Sequence, residues 1–220
     1  MQRIGILGGT FNPPHIGHVA LARHARSELG LERVLLMPAF VAPNKPTVSD
    51  DPGPAHRLAM CRLALAREPG LETSALEIER EGTSYTVDTV QSIHDTDPDA
   101  ELTLIVGADT ARTLPGWREP ARLLGMVSIA VAQRDEPDLH EVASRLASLT
   151  AAREARPDSR PRFTALRMAP VAVSSSAVRR LIAAGESVTE LVGEAVAGYI
   201  AEHGLYRTAG ASPATIGGAA

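Results

Sequence analysis

The stretch Arg3-Ile4-Gly5-Ile6-Leu7-Gly8-Gly9-Thr10-Phe11-Asn12-Pro13-Pro14-His15-Ile16-Gly17-His18 decides the fold. Its apolar run, Arg3 to Leu7, stops at Gly8-Gly9, and from Ile16 to Leu29 apolar residues recur at helical spacing until Gly30 closes the run. The pattern predicts a strand, a glycine turn and a helix. Glycines let a backbone approach an anion closely, and a helix start offers unpaired N–H groups. His15 and His18, three residues apart, project from the same first turn. The chemistry that suits this set is contact with a polyphosphate. It would be made without a P-loop, because no Gly, four residues, Gly-Lys-Ser/Thr pattern occurs in the chain. Two blander readings stand beside it. Gly8-Gly9 can be a plain turn with the histidines capping a helix, or the histidines can bind a metal, although no third ligand has sensible spacing.

Working outward, the runs Val34 to Pro38, Glu72 to Ile78, Leu102 to Val106, Val127 to Ala132 and Arg162 to Met168 are strand-like. Helical spacing marks His56 to Arg67, Thr86 to His94, Leu139 to Leu149, Ser175 to Ala184 and Val188 to His203. Strands alternating with helices imply right-handed crossovers, hence an α/β fold with a single doubly wound, mostly parallel sheet, helices on both faces and C-terminal helices. Such sheets bind ligands at the carboxyl ends of their strands. Three motif-bearing loops fall there: Gly8 to His18, Pro43 to Pro46, and Gly107 to Asp109. The loop Ala39 to Pro54 is long enough to be functional or mobile.

A chain of 220 residues suits one sizeable domain, read as residues 1–207, with a disordered tail of small residues at 208–220. The net charge of −4 and a sequence pI near 6.0 argue against a general nucleic-acid binder but leave small anionic ligands open. Lys45 is the only lysine, which suggests that a point charge matters there. The lone Cys61 reads as a buried structural thiol and fits a reducing cytoplasm. The first apolar run is too short for a signal peptide or a spanning helix, so neither export nor membrane insertion is expected.

A second motif, Val173-Ser174-Ser175-Ser176-Ala177-Val178-Arg179, opens a late amphipathic helix. A serine run in that place is first an N-cap. With free amides, hydroxyls and an arginine one turn in, it is also an anion site. Two such sites would clamp a triphosphate if the sheet brings them together.

The His-Ile-Gly-His element and the late Ser-Ser-Ser-x-x-Arg helix start resemble the nucleotidyltransferase superfamily related to class I aminoacyl-tRNA synthetases. The chain is most similar to its nicotinate-nucleotide adenylyltransferase family. The resemblance covers nearly the whole chain and includes Pro43-Asn44-Lys45-Pro46, Gly82-Thr83-Ser84-Tyr85-Thr86 followed by Asp88-Thr89, Ile105-Val106-Gly107-Ala108-Asp109, Leu114-Pro115-Gly116-Trp117 and Gly204-Leu205-Tyr206-Arg207. Each is weak alone, but their order and spacing are specific. The resemblance implies a Rossmann-like sheet. It also implies transfer of the AMP half of ATP to nicotinate mononucleotide, giving the deamido dinucleotide and pyrophosphate, with Mg²⁺ carried by ATP and no metal held by the protein.

By that resemblance, His15, His18, Lys45 and Arg179 are catalytic, and Gly8, Gly9, Thr10, Phe11, Gly107, Asp109, Ser174, Ser175 and Ser176 bind ATP. Arg57, Thr83, Tyr85 and Trp117 face the nicotinate nucleotide. The acceptor phosphate is ionised at neutral pH and needs no protein base, so positioning and fixed donors are most of catalysis. Trp117, the only tryptophan, serves equally as packing or as a stacking face, and Tyr85 shares that ambiguity. His24, His56, His94, His140 and His203 read as solvated. Asn12 and Asn44 depart from the family pattern, which often has Asp and His there. The rivals are a sister enzyme with another phosphate acceptor, of the pantetheine-phosphate type, and a non-catalytic nucleotide-binding module. No nucleic-acid or membrane partner is expected, and homo-oligomerisation is open.

Overall fold

β1 (Arg3–Gly9) sits inside the sheet because both of its faces are apolar: Ile4 and Ile6 face one core, and Leu7 faces another. The same alternation recurs along β2 (Arg33–Pro38), where Leu35 and Met37 face the first core and Val34 and Leu36 the second. In β4 (Glu101–Gly107), Leu102, Leu104 and Val106 oppose Ile105. Strands buried on both faces belong to sheets covered by helices on both sides. The computed structural model describes residues 2–43, 50–133, 144, 163–169 and 171–207.

The other strands are β3 (Leu71–Thr73), β5 (Ser128–Gln133) and β6 (Phe163–Arg167). The six strands run in the order β3-β2-β1-β4-β5-β6, and every pairing is parallel. The order reverses between β1 and β4. α1 (Ile16–Glu28) buries Ala22 and Ala25 in the second core, whereas α5 (Ala108–Thr113) buries Ala111 in the first. The chain therefore leaves these adjacent strands toward opposite faces, which opens a crevice at their carboxyl ends.

α2 (Pro54–Leu65) joins the second core through Cys61 and Leu65, while its Met60 lies in a third cluster. That cluster adds Val178 of α7 (Ser175–Ala183), Val192 of α8 (Thr189–Val192), Val196 and Ile200 of α9 (Glu194–Glu202), and Tyr206. It docks the C-terminal helices beside the crevice. α3 (Leu76–Arg80), α4 (Thr86–Thr96), a 3-10 turn Leu114–Gly116 and α6 (Pro120–Leu124) cover the first core.

Three expectations need correction. The run 72–78, read as a strand, is strand only through Thr73 and then turns into α3, because Leu76 packs down onto the first core from a helix. The single helix expected over 188–203 is two, split at Gly193, whose φ of +84 a helix cannot hold. The short elements between 108 and 124 escaped the periodicity. The helix expected at 139–149 lies outside the described residues apart from Ser144, as does the tail at 208–220. Among the described residues, no helix is long and apolar enough to cross a membrane.

Candidate active site

The loop after β1 carries buried polar groups of the kind that ordinarily have partners. Asn12 and His15 are 4% and 8% exposed. Among the described residues, Thr10 Oγ1, Asn12 Nδ2 and His15 Nδ1 are buried without a hydrogen-bond partner. His15 caps α1, and its backbone N–H donates to His18 Nδ1 at 3.1 Å, so the neutral His18 ring carries its proton on Nε2. The two rings stack with centroids 3.6 Å apart, and Phe11 meets His18 edge-on at 4.9 Å. Gly17 packs closely here: a Cβ would lie 3.1 Å from His15 Nδ1 and 3.1 Å from Val173 Cγ1 and would press on both side chains.

Burial lowers the His15 pKa from its ordinary 6.5 to about 4, so the ring is neutral at pH 7. The unfolded chain takes up the proton near pH 6.5 and the folded chain only near 4, so stability present at neutral pH is lost as pH falls between those values. The loss is at most about 3 kcal/mol. Urea unfolding at pH 7.5 and 5 should therefore show a larger fall in midpoint for the wild type than for His15→Asn; equal falls would show that His15 does not titrate in this way.

The serine-rich helix start closes on this loop. Ser175 Oγ donates to Pro13 O at 2.8 Å and Arg179 Nη1 to Asn12 O at 2.8 Å, while Tyr206 OH donates to Asn12 Oδ1 at 2.7 Å. Asn12 thus fills the acceptor role that an aspartate would fill toward Tyr206. Ser174 caps α7, accepting from Ala177 N at 3.2 Å, and lies 3.1 Å from Ser176 Oγ. Arg179 Nε also pairs with Asp50 at 2.8 Å. The N-cap and anion-site readings of the serine run are compatible, because one hydroxyl caps while Arg179 stands at the loop.

Across the crevice, Gly107 ends β4 and Asp109 stands fully exposed on the first turn of α5, paired with Arg112 at 2.7 Å. On the remaining side, Thr83 bridges to Val41, and Tyr85 caps α4 with the Arg118 guanidinium 4.6 Å above its ring. Trp117 Nε1 donates to Thr113 Oγ1 at 3.0 Å, and both Tyr85 and Trp117 pack against the first core.

Arg57 and Phe11, both among the predicted residues, are buried. Arg57 is 1% exposed and spends four of its five N–H groups inside the protein. Nη1 donates to Thr10 O (2.9 Å) and Ala39 O (2.6 Å), Nη2 to Phe40 O (3.0 Å), and Nε to Asp51 (3.1 Å). It ties the loops around Thr10, Ala39, Phe40 and Asp51 together, a burial that the sequence hides because arginine is ordinarily exposed. The Phe11 ring is 3% exposed and packs in the second core. Lys45 and Asn44 lie outside the described residues. Cys61 is buried as expected, and desolvation pushes its thiol up to about 12. The histidines read as solvated have partners: His24 pairs with Glu28, His56 bonds the Tyr199 hydroxyl, His94 bonds Met126 O, and His203 packs on His56 and Tyr199. His140 is outside the described residues.

Residues 6–181 match the family model described as cytidylyltransferase-like. The chain is 41% identical over 204 residues to a probable nicotinate-nucleotide adenylyltransferase of Roseiflexus sp. (strain RS-1), covering 93% of this chain and 98% of that one. The chain belongs to this nucleotidyltransferase family. It is also 38% identical over 210 residues to the protein of the same name from Thermomicrobium roseum, covering 94% and 93% of the two chains. Among solved structures, the nicotinic acid mononucleotide adenylyltransferase of Plasmodium falciparum in complex with NaAD superposes with a TM-score of 0.73 at 15% identity, over 94% of this chain and 98% of that one. That likeness shows a shared nucleotidyltransferase fold.

Proposed function

We propose that this nucleotidyltransferase transfers the AMP moiety of ATP to nicotinate mononucleotide, giving nicotinate adenine dinucleotide and pyrophosphate, in NAD biosynthesis. The observation that carries the reading is the docking of the Ser174–Arg179 helix start onto the Asn12–His18 loop through Ser175 and Arg179. It sets imidazole, hydroxyl, amide and guanidinium donors around one space, at the switch point of the sheet. Its buried, unpartnered Asn12 Nδ2 and His15 Nδ1 suit a ligand rich in acceptor oxygens.

In this reading, the acceptor 5′-phosphate attacks the α-phosphorus of ATP in line, the new P–O bond forming as the bond to pyrophosphate breaks. His15, His18, Ser174, Ser176 and Arg179 hold the phosphates and neutralise developing charge, with Lys45 as a further cation. Gly8, Gly9, Thr10 and Phe11 belong to the loop that binds ATP, Gly107 and Asp109 face the adenosine, and Thr83, Tyr85 and Trp117 frame the nicotinate ring. Neutral His15 donates without the cost of a buried charge. Among the described residues, no three His, Cys, Asp or Glu side chains converge on one point. The donor set fits a Mg²⁺ that arrives on the nucleotide, where it would supply further charge neutralisation. Such chemistry suits a cytoplasmic enzyme working on small molecules.

Pyrophosphate release from ATP and Mg²⁺, with nicotinate mononucleotide, nicotinamide mononucleotide and phosphopantetheine offered separately, tests the reading. Turnover with the first by a wide margin is the expected result. Turnover with another acceptor alone would overturn the substrate, and silence with all three would leave a nucleotide-binding module.

A further inference from the structure

Glu77 is a charged side chain that the proposed chemistry does not use, and it is 6% exposed. It lies on α3, beneath the segment that carries Thr83 and Tyr85. Its Oε1 accepts from Thr89 Oγ1 at 2.7 Å, and the Ser84 hydroxyl acts on the same carboxylate, favouring its charged form against burial. Ser84 Oγ accepts from Phe40 N at 2.9 Å and Thr89 Oγ1 from Arg80 Nη2 at 3.0 Å, and the Thr89 hydroxyl donates to Glu77 in its shorter contact, with Tyr85 O at 3.3 Å as the longer one. The Arg80 charge acts on the carboxylate from the same helix, against the burial that disfavours ionisation.

Beyond this pair, the bonds continue in both directions. Ser84 N donates to Val41 O at 2.9 Å, and Thr83 bridges Val41, so Ser84 fastens the acceptor segment to the end of β2 by side chain and backbone together. Thr89 Oγ1 lies 3.3 Å from Tyr85 O. Phe40 O and Thr10 O are held in turn by Arg57. A continuous polar chain thus runs from the phosphate loop at Thr10, through Arg57, Phe40, Ser84 and Glu77, to Thr89 and Tyr85.

We propose that Glu77 is a positioning residue for the acceptor nucleotide: engaged by the Ser84 and Thr89 hydroxyls at once, it sets Thr83 and Tyr85 against the β2 end and so fixes where the acceptor ring lies relative to the phosphate loop. The proposal rests on the reading of Thr83, Tyr85 and Trp117 as the acceptor side. Misplacement of a reactant by a fraction of an ångström to an ångström is enough to slow an in-line displacement severely.

The test is Glu77→Gln and, separately, Ser84→Ala, assayed with both substrates varied and with thermal melting alongside. An amide offers one acceptor oxygen in place of two and sets a donor where a carboxylate oxygen stood; Ser84→Ala removes both the bridge to Phe40 N and the hydroxyl that acts on Glu77. The expected result is a loss in kcat/KM for the acceptor of about tenfold or more, with KM for ATP within about twofold of wild type. Equal movement of both substrates' constants, or movement of neither, overturns the proposal. If Glu77→Gln does not fold, Ser84→Ala carries the same comparison. A wild type that uses a different phosphate acceptor would overturn the substrate reading alone, since the split between acceptor and ATP is then read with that acceptor.

Discussion

Replacing His18 with alanine is expected to lower kcat by about a hundredfold or more while leaving a folded protein, the usual cost of deleting one donor that stabilises transition-state charge. The reason lies in how the ring is held. His18 Nδ1 accepts the His15 backbone N–H at 3.1 Å, and the rings of His15 and Phe11 pack against it. The tautomer and orientation of the ring are therefore set before substrate arrives. Loss of the acceptor for His15 N costs about 1 kcal/mol of helix stability, as for other N-terminal caps, too little to unfold a domain. Initial rates of pyrophosphate release at saturating substrates, with a melting curve for the same sample, separate the two effects. A variant that keeps wild-type kcat would remove His18 from the proposed phosphate machinery.

Arg57→Met is expected to destabilise the protein by about 3 to 5 kcal/mol, the range for removing one partner of a buried charge pair. Three carbonyls, Thr10 O, Ala39 O and Phe40 O, would lose their donor, and Asp51 would lose its cation. Lysine is not a substitute, because a point charge with three donors on one nitrogen cannot span four acceptors that a planar fork reaches. Urea unfolding measures the effect. Stability within about 1 kcal/mol of wild type, together with a large rise in an acceptor KM, would support the role in acceptor binding that resemblance suggests for Arg57.

The phosphate-binding candidates were legible because their signals are local. A strand ending in Gly8-Gly9, a helix opening at His15 and a serine run before an amphipathic helix are each written in consecutive residues. The relation between them was not. Nothing near Ser175 or Arg179 in the chain says that they will bond to Pro13 and Asn12; the third core, built from Met60, Val178, Val196 and Tyr206, brings them there. Glu77 was missed for a related reason. An acid among acids in Leu76-Glu77-Ile78-Glu79-Arg80 looks solvated, and only the packing of Leu76 on the sheet turns Glu77 inward.

Period and punctuation determined, from the sequence alone, that this protein is a doubly wound parallel sheet with candidate anion-binding motifs at its strand ends. Alternating apolar residues and glycine stops act over a few residues and need no partner to be read. The tertiary structure alone decided which polar side chains are buried, Arg57 and Glu77 above all, and which motifs share a space. Desolvation and long-range hydrogen bonds depend on what lies across the fold, and that is a property of how the helices settle on the sheet and not of any stretch of chain.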